Sequence, residues 1–119
     1  MNTIKCYVAG ALNSDAVGYI KNLHRMCIYA DKVRQLGVSI YVPGIDFLLG
    51  VVHGNWTYED YFENSQPWLD ISDCVFLVPG YENSKGTKKE RERAWKAHIP
   101  IFKDLNKLKS FIESWKKQN

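Results

Sequence analysis

The stretch "DCVFLVPGYENSKGTKKERERAW", residues 73–95, carries the reading of the whole chain. It opens with a continuous apolar run, 74–78, of the kind that forms a strand covered on both faces. Pro79-Gly80 stops that strand, and after Gly86 the chain resumes as a highly charged helix to about Ala97. A helix that starts at such a turn has free backbone N–H groups able to meet an anion, and Ser84 and Thr87 add hydroxyls there. The segment is not a Walker loop. That signature requires G-x-x-x-x-G-K-[ST], whereas here the glycines stand one residue too far apart and the order is Gly-Thr-Lys.

On the helix from Gly86, positions 86, 90, 94 and 97 share a face, and they are Gly, Glu, Ala and Ala. Small residues let that face press against a sheet, so Glu90 reads as half-buried. Glu92 differs, since Lys88, Lys89, Trp95 and Lys96 stand three or four positions away as solvent-side partners. A carboxylate held like Glu90 suits a nucleophile or a clamp on a ligand hydroxyl. A first-turn Glu that simply favours the helix dipole is the plainer use, and the local pattern leaves both open.

Working outward, "TIKCYVAG" (3–10) reads as a first strand stopped by Gly10, followed by the polar loop "ALNSD". Tyr19, Leu23, Met26, Cys27, Ala30, Val33 and Leu36 recur at helical spacing and end at Gly37. "VSIYV" (38–42) is a second strand closed by Pro43-Gly44. Residues 44–56 show no clear period and read as a long loop with an apolar stem, of the kind that covers a site. Thr57 with Asp60 resembles a capping box before a helix whose face carries Tyr58, Tyr61, Phe62, Ser65, Trp68, Leu69 and Ser72, with Pro67 as a kink or restart. "IPIF" (99–102) makes a fourth strand. Asp104 caps a last helix striped by Leu105, Leu108, Phe111, Ile112 and Trp115.

Strands that alternate with helices specify an α/β fold: one domain over 1–119, a parallel-sheet Rossmann- or flavodoxin-like sandwich with helices on both faces. Ligands in such folds bind beyond the carboxyl ends of the strands, which directs attention to the loops after Ala9, Val42 and Val78. The first of these lacks G-x-G-x-x-G, so the dinucleotide fingerprint is missing as well.

Composition narrows the classes. Of 119 residues, 45% are hydrophobic and 24% charged, as in an ordinary globular domain with a modest core. The net charge of +3 suits small anionic ligands and is too weak and scattered for a nucleic-acid groove. Cys6, Cys27 and Cys74 are odd in number and far apart, which points to buried reduced thiols. His24, His53 and His98 are isolated, no Cys/His spacing suggests zinc, and neither a metal nor a cofactor is expected. There is no signal-peptide pattern and no apolar run of bilayer length, so a cytoplasmic protein without a membrane partner is expected.

The same residues carry a resemblance. Asp73, "LVPGY", Ser84, Gly86 and Glu90, in that order, resemble the signature of the nucleoside 2-deoxyribosyltransferase-like superfamily, in particular its small, often phage-encoded branch. "CYVAGAL" is similar to the family's first strand and loop, "YIKNLHRMCIYADKVRQLG" with Asn22 to its first helix, and "TYEDYFENSQPWLDISD" to the helix before its third strand. The likeness covers about residues 4–102.

What the resemblance implies is a catalytic Glu90 that attacks the anomeric carbon of a 2′-deoxynucleoside or its 5′-monophosphate. The base is expelled, and a deoxyribosyl ester passes to a second base or to water. Tyr7 would orient Glu90. Gly10, Asn13, Asp46, Ser65, Ser84 and Gly86 would bind substrate, Ser84 and the N–H groups near Gly86 taking a sugar hydroxyl or a 5′-phosphate. Trp56, Tyr58 or Tyr81 would stack on the base. A homodimer or larger homo-oligomer is implied, with a neighbouring chain completing each site. One position departs from the pattern: where the family has an Asp, three residues before Trp68, this chain has Ser65, which cannot act as a general acid. Asp46 is the better substitute than Asp60 or Asp70. The alternative reading is a nucleotide-binding protein that captures or senses its ligand without efficient turnover.

Overall fold

The chain is described from a computed structural model over residues 3–12 and 15–118, leaving aside the side chains at 47, 48 and 51. Its elements in order are β1 (Lys5–Ala9), α1 (Ala16–Arg34), β2 (Ser39–Tyr41), α2 (Pro43–His53), α3 (Tyr58–Asp70), β3 (Cys74–Leu77), α4 (Lys85–Lys96), β4 (Ile101–Phe102) and α5 (Leu105–Gln118). The four strands form one parallel sheet in the order β2-β1-β3-β4. From β1 the chain crosses outward to β2, then returns past β1 to β3. This reversal opens a crevice beyond the carboxyl ends of β1 and β3.

The period of two along the strands decides which helices cover which face. Cys6 pairs with Cys74 and Val8 with Phe76, and all four join one core with Met26, Ala30 and Val33 of α1 and Leu108 and Ile112 of α5. The intervening Tyr7, Ala9, Val75 and Leu77 point the other way and pack with Leu69 of α3 and Ala94 of α4. Helices therefore cover both faces, as the alternation of strands and helices requires. Among the described residues no helix is long and apolar enough to cross a membrane.

The boundaries at 57, 80 and 104 follow local chemistry. The Thr57 hydroxyl accepts from Asp60 N while the Asp60 carboxylate accepts from Thr57 N, a complete reciprocal cap on α3. Gly80 takes φ 97°, which closes the turn after β3. The Asp104 carboxylate accepts from the N–H groups of residues 106 and 107 at the start of α5.

Three expectations are corrected, and of the two alternatives at Pro67 the restart is excluded. Residues 44–56 are not a loop, because Pro43–His53 is the helix α2, begun by a proline in its first turn and ended by left-handed Gly54. Among its described residues the buried positions, 44 and 50, are glycines, which add nothing to an apolar period. A Cβ on Gly44 would stand 2.6 Å from Met26 Sδ, and one on Gly50 would stand 1.7 Å from the Tyr61 hydroxyl oxygen. Ile45, Leu49 and Val52 meanwhile face outward. Cys27 is exposed on α1 rather than buried, unlike Cys6 and Cys74. The helix through Pro67 continues without a restart to Asp70. The inner face of α4 is Thr87, Glu90 and Ala94, while Ala97 lies exposed just past the helix end.

Leu108 is fully buried between α5 and the sheet, whereas Trp95 is 75% exposed on α4. Leu108→Ala is expected to lower unfolding free energy by about 2–5 kcal/mol. Trp95→Ala should change it by less than about 0.5 kcal/mol. Urea denaturation of the two variants against the parent measures both.

Candidate functional site

Beyond the carboxyl ends of β1 and β3 lies a cavity of about 670 Å³. Gly10 after β1, Ser65 on α3 and Glu90 on α4 line it, together with Ser84, Lys85, Gly86 and Thr87 at the start of α4. Tyr58, Tyr61 and Phe62 of α3 make an aromatic wall, and Pro43 and Gly44 bring in the start of α2. Each element arrives there for a local reason. A Cβ on Gly10 would stand 3.0 Å from both Met26 and Val78, so only glycine lets the chain leave β1 at this point without displacing them. After β3, Arg25 Nη1 donates to the Pro79 carbonyl at 3.3 Å and ties the turn to α1. Tyr81–Asn83 then make one 3₁₀ turn, and Ser84 caps α4 by accepting from Thr87 N at 3.1 Å.

Glu90 is buried, 8% exposed, on the α4 face that meets the sheet. Tyr7, fully buried in the middle of β1, donates its hydroxyl hydrogen bond to Glu90 Oε2. Burial pushes the Glu90 carboxyl up to about 7, while the Tyr7 bond acts in the opposite sense by favouring the ionised form. Burial first and the adjacent Glu90 charge second drive the Tyr7 phenol well above its ordinary range, so it stays a donor. A carboxyl poised near neutrality is half ionised there, which suits nucleophilic or acid–base work better than a purely structural role.

The remaining sequence-derived candidates divide. Ser65 is buried beside Tyr7, and its hydroxyl donates to the Phe62 carbonyl at 3.2 Å. Asp46 stands apart from the cavity lining, held by hydrogen bonds from the Tyr41 hydroxyl and from Asn64 Nδ2, the latter at 2.9 Å. Asn13 lies outside the described residues. Of the three aromatics expected to stack on a base, only Tyr58 lines the cavity. Trp56 packs against Tyr61, with ring centroids 5.0 Å apart, and Tyr81 lies under the Arg91 guanidinium.

Phe62, Lys89 and Thr87 are among the lining residues that the sequence alone does not single out. Phe62 was read as one of a helix face, although its spacing of four from Tyr58 announces a paired wall. Lys89, a possible solvent-side partner of Glu92 by helical spacing, is exposed and also lines the cavity, with its Nζ 5.3 Å from the Tyr58 ring centroid. Thr87 was noted only for its hydroxyl at the helix start. It is 1% exposed, and its Oγ1 is a buried side-chain polar atom with no hydrogen-bond partner among the described residues. Among those residues no group of three or more His, Cys, Asp or Glu is placed to hold a metal ion.

Burial of Glu90 has a stability cost with a definite sign. The unfolded chain loses this proton near the ordinary value of 4.5, while the folded chain keeps it to about 7. The contribution is therefore fully present below pH 4.5, falls as pH rises toward 7, and is flat above, losing about 3 kcal/mol in all. Glu90→Gln lacks this slope. Relative to the parent, the variant is expected to gain on the order of 3 kcal/mol between pH 4.5 and 8, read from urea denaturation at each pH. A difference independent of pH would contradict the raised carboxyl.

Two solved structures share this architecture. One is the 2-deoxyribosyltransferase from the psychrotolerant bacterium Bacillus psychrosaccharolyticus, with a TM-score of 0.66 and 16% identity over 88% of this chain and 90% of that one. The other is a conserved protein from Enterococcus faecalis V583, with a TM-score of 0.58 and 19% identity over 84% of this chain and 62% of that one. No curated protein matches. Residues 4–103 match the family described as Domain of unknown function (DUF4406). The chain thus belongs to the DUF4406 family and shares the α/β fold of that 2-deoxyribosyltransferase.

Proposed function

We propose that this protein acts on the N-glycosidic bond of a 2′-deoxynucleoside or its 5′-monophosphate, with Glu90 as the nucleophile. The observation that carries this reading is a buried carboxylate, held by Tyr7 and facing a cavity of nucleotide size at the sheet's switch point. Attack by a Glu90 oxygen on the anomeric carbon forms a C–O bond as the C–N bond breaks. A covalent glycosyl ester thereby divides one hard displacement into two easier ones. The acceptor in the second half, a base or water, decides between transfer and hydrolysis. Tyr7 acts through Glu90 as a positioning residue, keeping one carboxylate oxygen engaged while the other reacts.

The start of α4 supports the sugar or phosphate end. Backbone N–H groups near Gly86, the Ser84 hydroxyl and the unpartnered Thr87 Oγ1 supply polar contacts for oxygen atoms, with Lys85 adding charge. Tyr58 and Phe62 offer stacked faces, 6.2 Å between centroids, for a flat base. Fold likeness to a 2-deoxyribosyltransferase agrees with this substrate class. A second reading, ligand capture without turnover, is favoured by one observation: Ser65 occupies a place beside Tyr7 where a second carboxyl would serve as acid.

A panel of 2′-deoxynucleosides and their 5′-monophosphates, followed by chromatography for free base, separates the readings. Turnover is expected, with Glu90→Gln lowering it by at least about 1,000-fold. Thermal stabilisation by ligand without release of base would support capture instead. Because the ionised carboxylate is the nucleophile, the rate should rise with pH through a midpoint of about 7. Tyr7→Phe removes the bond that favours ionisation, so its midpoint is expected above that of the parent. An unmoved midpoint would show that Tyr7 does not set the charge of Glu90.

A further inference from the structure

A base leaving a sugar takes with it the electron pair of the C–N bond, and the negative charge developing on its ring nitrogen needs a partner in the cavity. Glu90 cannot supply it while bonding to the sugar. Besides Glu90, the ionisable groups lining the cavity among the described residues are Tyr58, Tyr61, Lys85 and Lys89. Lys85 belongs to the first turn of α4, next to Ser84 at the end suited to oxygen anions. Lys89 lies one turn further along. Its Nζ stands 5.3 Å from the Tyr58 ring centroid and 5.8 Å from that of Phe62, over the wall on which a flat base would rest.

Two further observations favour Lys89. No carboxylate among the described residues lies within salt-bridge distance of it, the ion pairs there being Arg34–Asp31 and Arg93–Asp70. Its charge is therefore not committed elsewhere. Lys89 and Glu90 are also successive residues on one helix, so their side chains diverge by about 100° around its axis. The carboxylate turns toward Tyr7 on the inner strand β1 and the ammonium turns over the aromatic wall. Opposite charges thus flank the space where a glycosidic bond would lie.

We propose that Lys89 is the cationic partner of the departing base, an inference that rests on the reaction assigned above to Glu90. As a Glu90 oxygen bonds to the anomeric carbon, the C–N electron pair passes to the base nitrogen and Lys89 Nζ–H donates its proton there. The base leaves neutral, and Lys89 recovers a proton from water before the next turnover. Lys89 thereby supplies the leaving-group assistance that Ser65 cannot.

The test compares 2′-deoxyguanosine 5′-monophosphate with its N7-methylated counterpart, whose base already carries a positive charge and needs no cation to leave. Base release is measured by chromatography for the parent, Lys89→Met, Lys89→Arg and Glu90→Gln, with thermal unfolding as the check on folding. Lys89→Met is expected to lower kcat for the unmethylated substrate about 100-fold while leaving the methylated one nearly unchanged, and Lys89→Arg, whose guanidinium keeps its proton, should recover only the part of the loss due to charge. Equal losses on both substrates, or a change confined to KM, would overturn the role of Lys89 while the reading of Glu90 stands. If the parent releases neither base, or Glu90→Gln releases both as fast, the reaction itself falls and the inference with it. That outcome is visible before Lys89 is altered.

Discussion

One contact organises the site: the buried Tyr7 hydroxyl donating to the buried Glu90 carboxylate. A carboxylate removed from solvent is costly unless it is paired or hydrogen-bonded. Among the described residues no cation pairs with this one. A neutral phenol does, from the middle of the central strand pair, and the result is a carboxyl raised to about 7 rather than one locked in an ion pair. Had an arginine taken the place of Tyr7, the charge would be held far more firmly and the oxygen would be a poorer nucleophile. The stability forgone by burying Glu90 is of the kind usually found where a site needs reactivity.

The sheet makes that contact possible. Tyr7 points toward α3 and α4 because it stands between Cys6 and Val8, which point toward α1 and α5. Its ring tilts against Tyr41, 5.6 Å between centroids, and Tyr41 stacks on Trp68, so aromatic packing on β2 and α3 fixes the phenol sideways. Ala94, one turn after Glu90, is fully buried and lets α4 lie close to the sheet. Position along β1, the small residue on α4 and the capped turn at Ser84 together fix the carboxylate's direction. The positively charged rim left by Lys85 and Lys89 then belongs to the same helix.

Much of this was legible in the sequence because it rests on short-range rules. The continuous apolar run 74–78, the Thr57–Asp60 cap, the glycine stops and the stripe on α5 each have one plain structural meaning. Alternation of strand and helix then leaves few topologies. The face of α4 was nearly right, and its error of placing Ala97 inside came from extending the helix one residue too far. What escaped was anything that depended on a neighbour. Among its described residues the helix α2 buries Gly44 and Gly50 and exposes Ile45, Leu49 and Val52, so these positions show no apolar period without Tyr61 and Met26 packed against the glycines. Lys89 has a carboxylate three residues away in sequence but turns to rings on another helix, a choice that helical spacing alone cannot reveal.

The most direct measurement is where the sugar goes. Protein mixed with a deoxynucleoside or its monophosphate, quenched in acid and digested, can be mapped by mass spectrometry for a deoxyribosyl ester. If Glu90 is the nucleophile, the added mass resides on the peptide containing that residue and is missing from Glu90→Gln. Base release with the sugar attached to another side chain, or with no covalent species at any quench time, would contradict it.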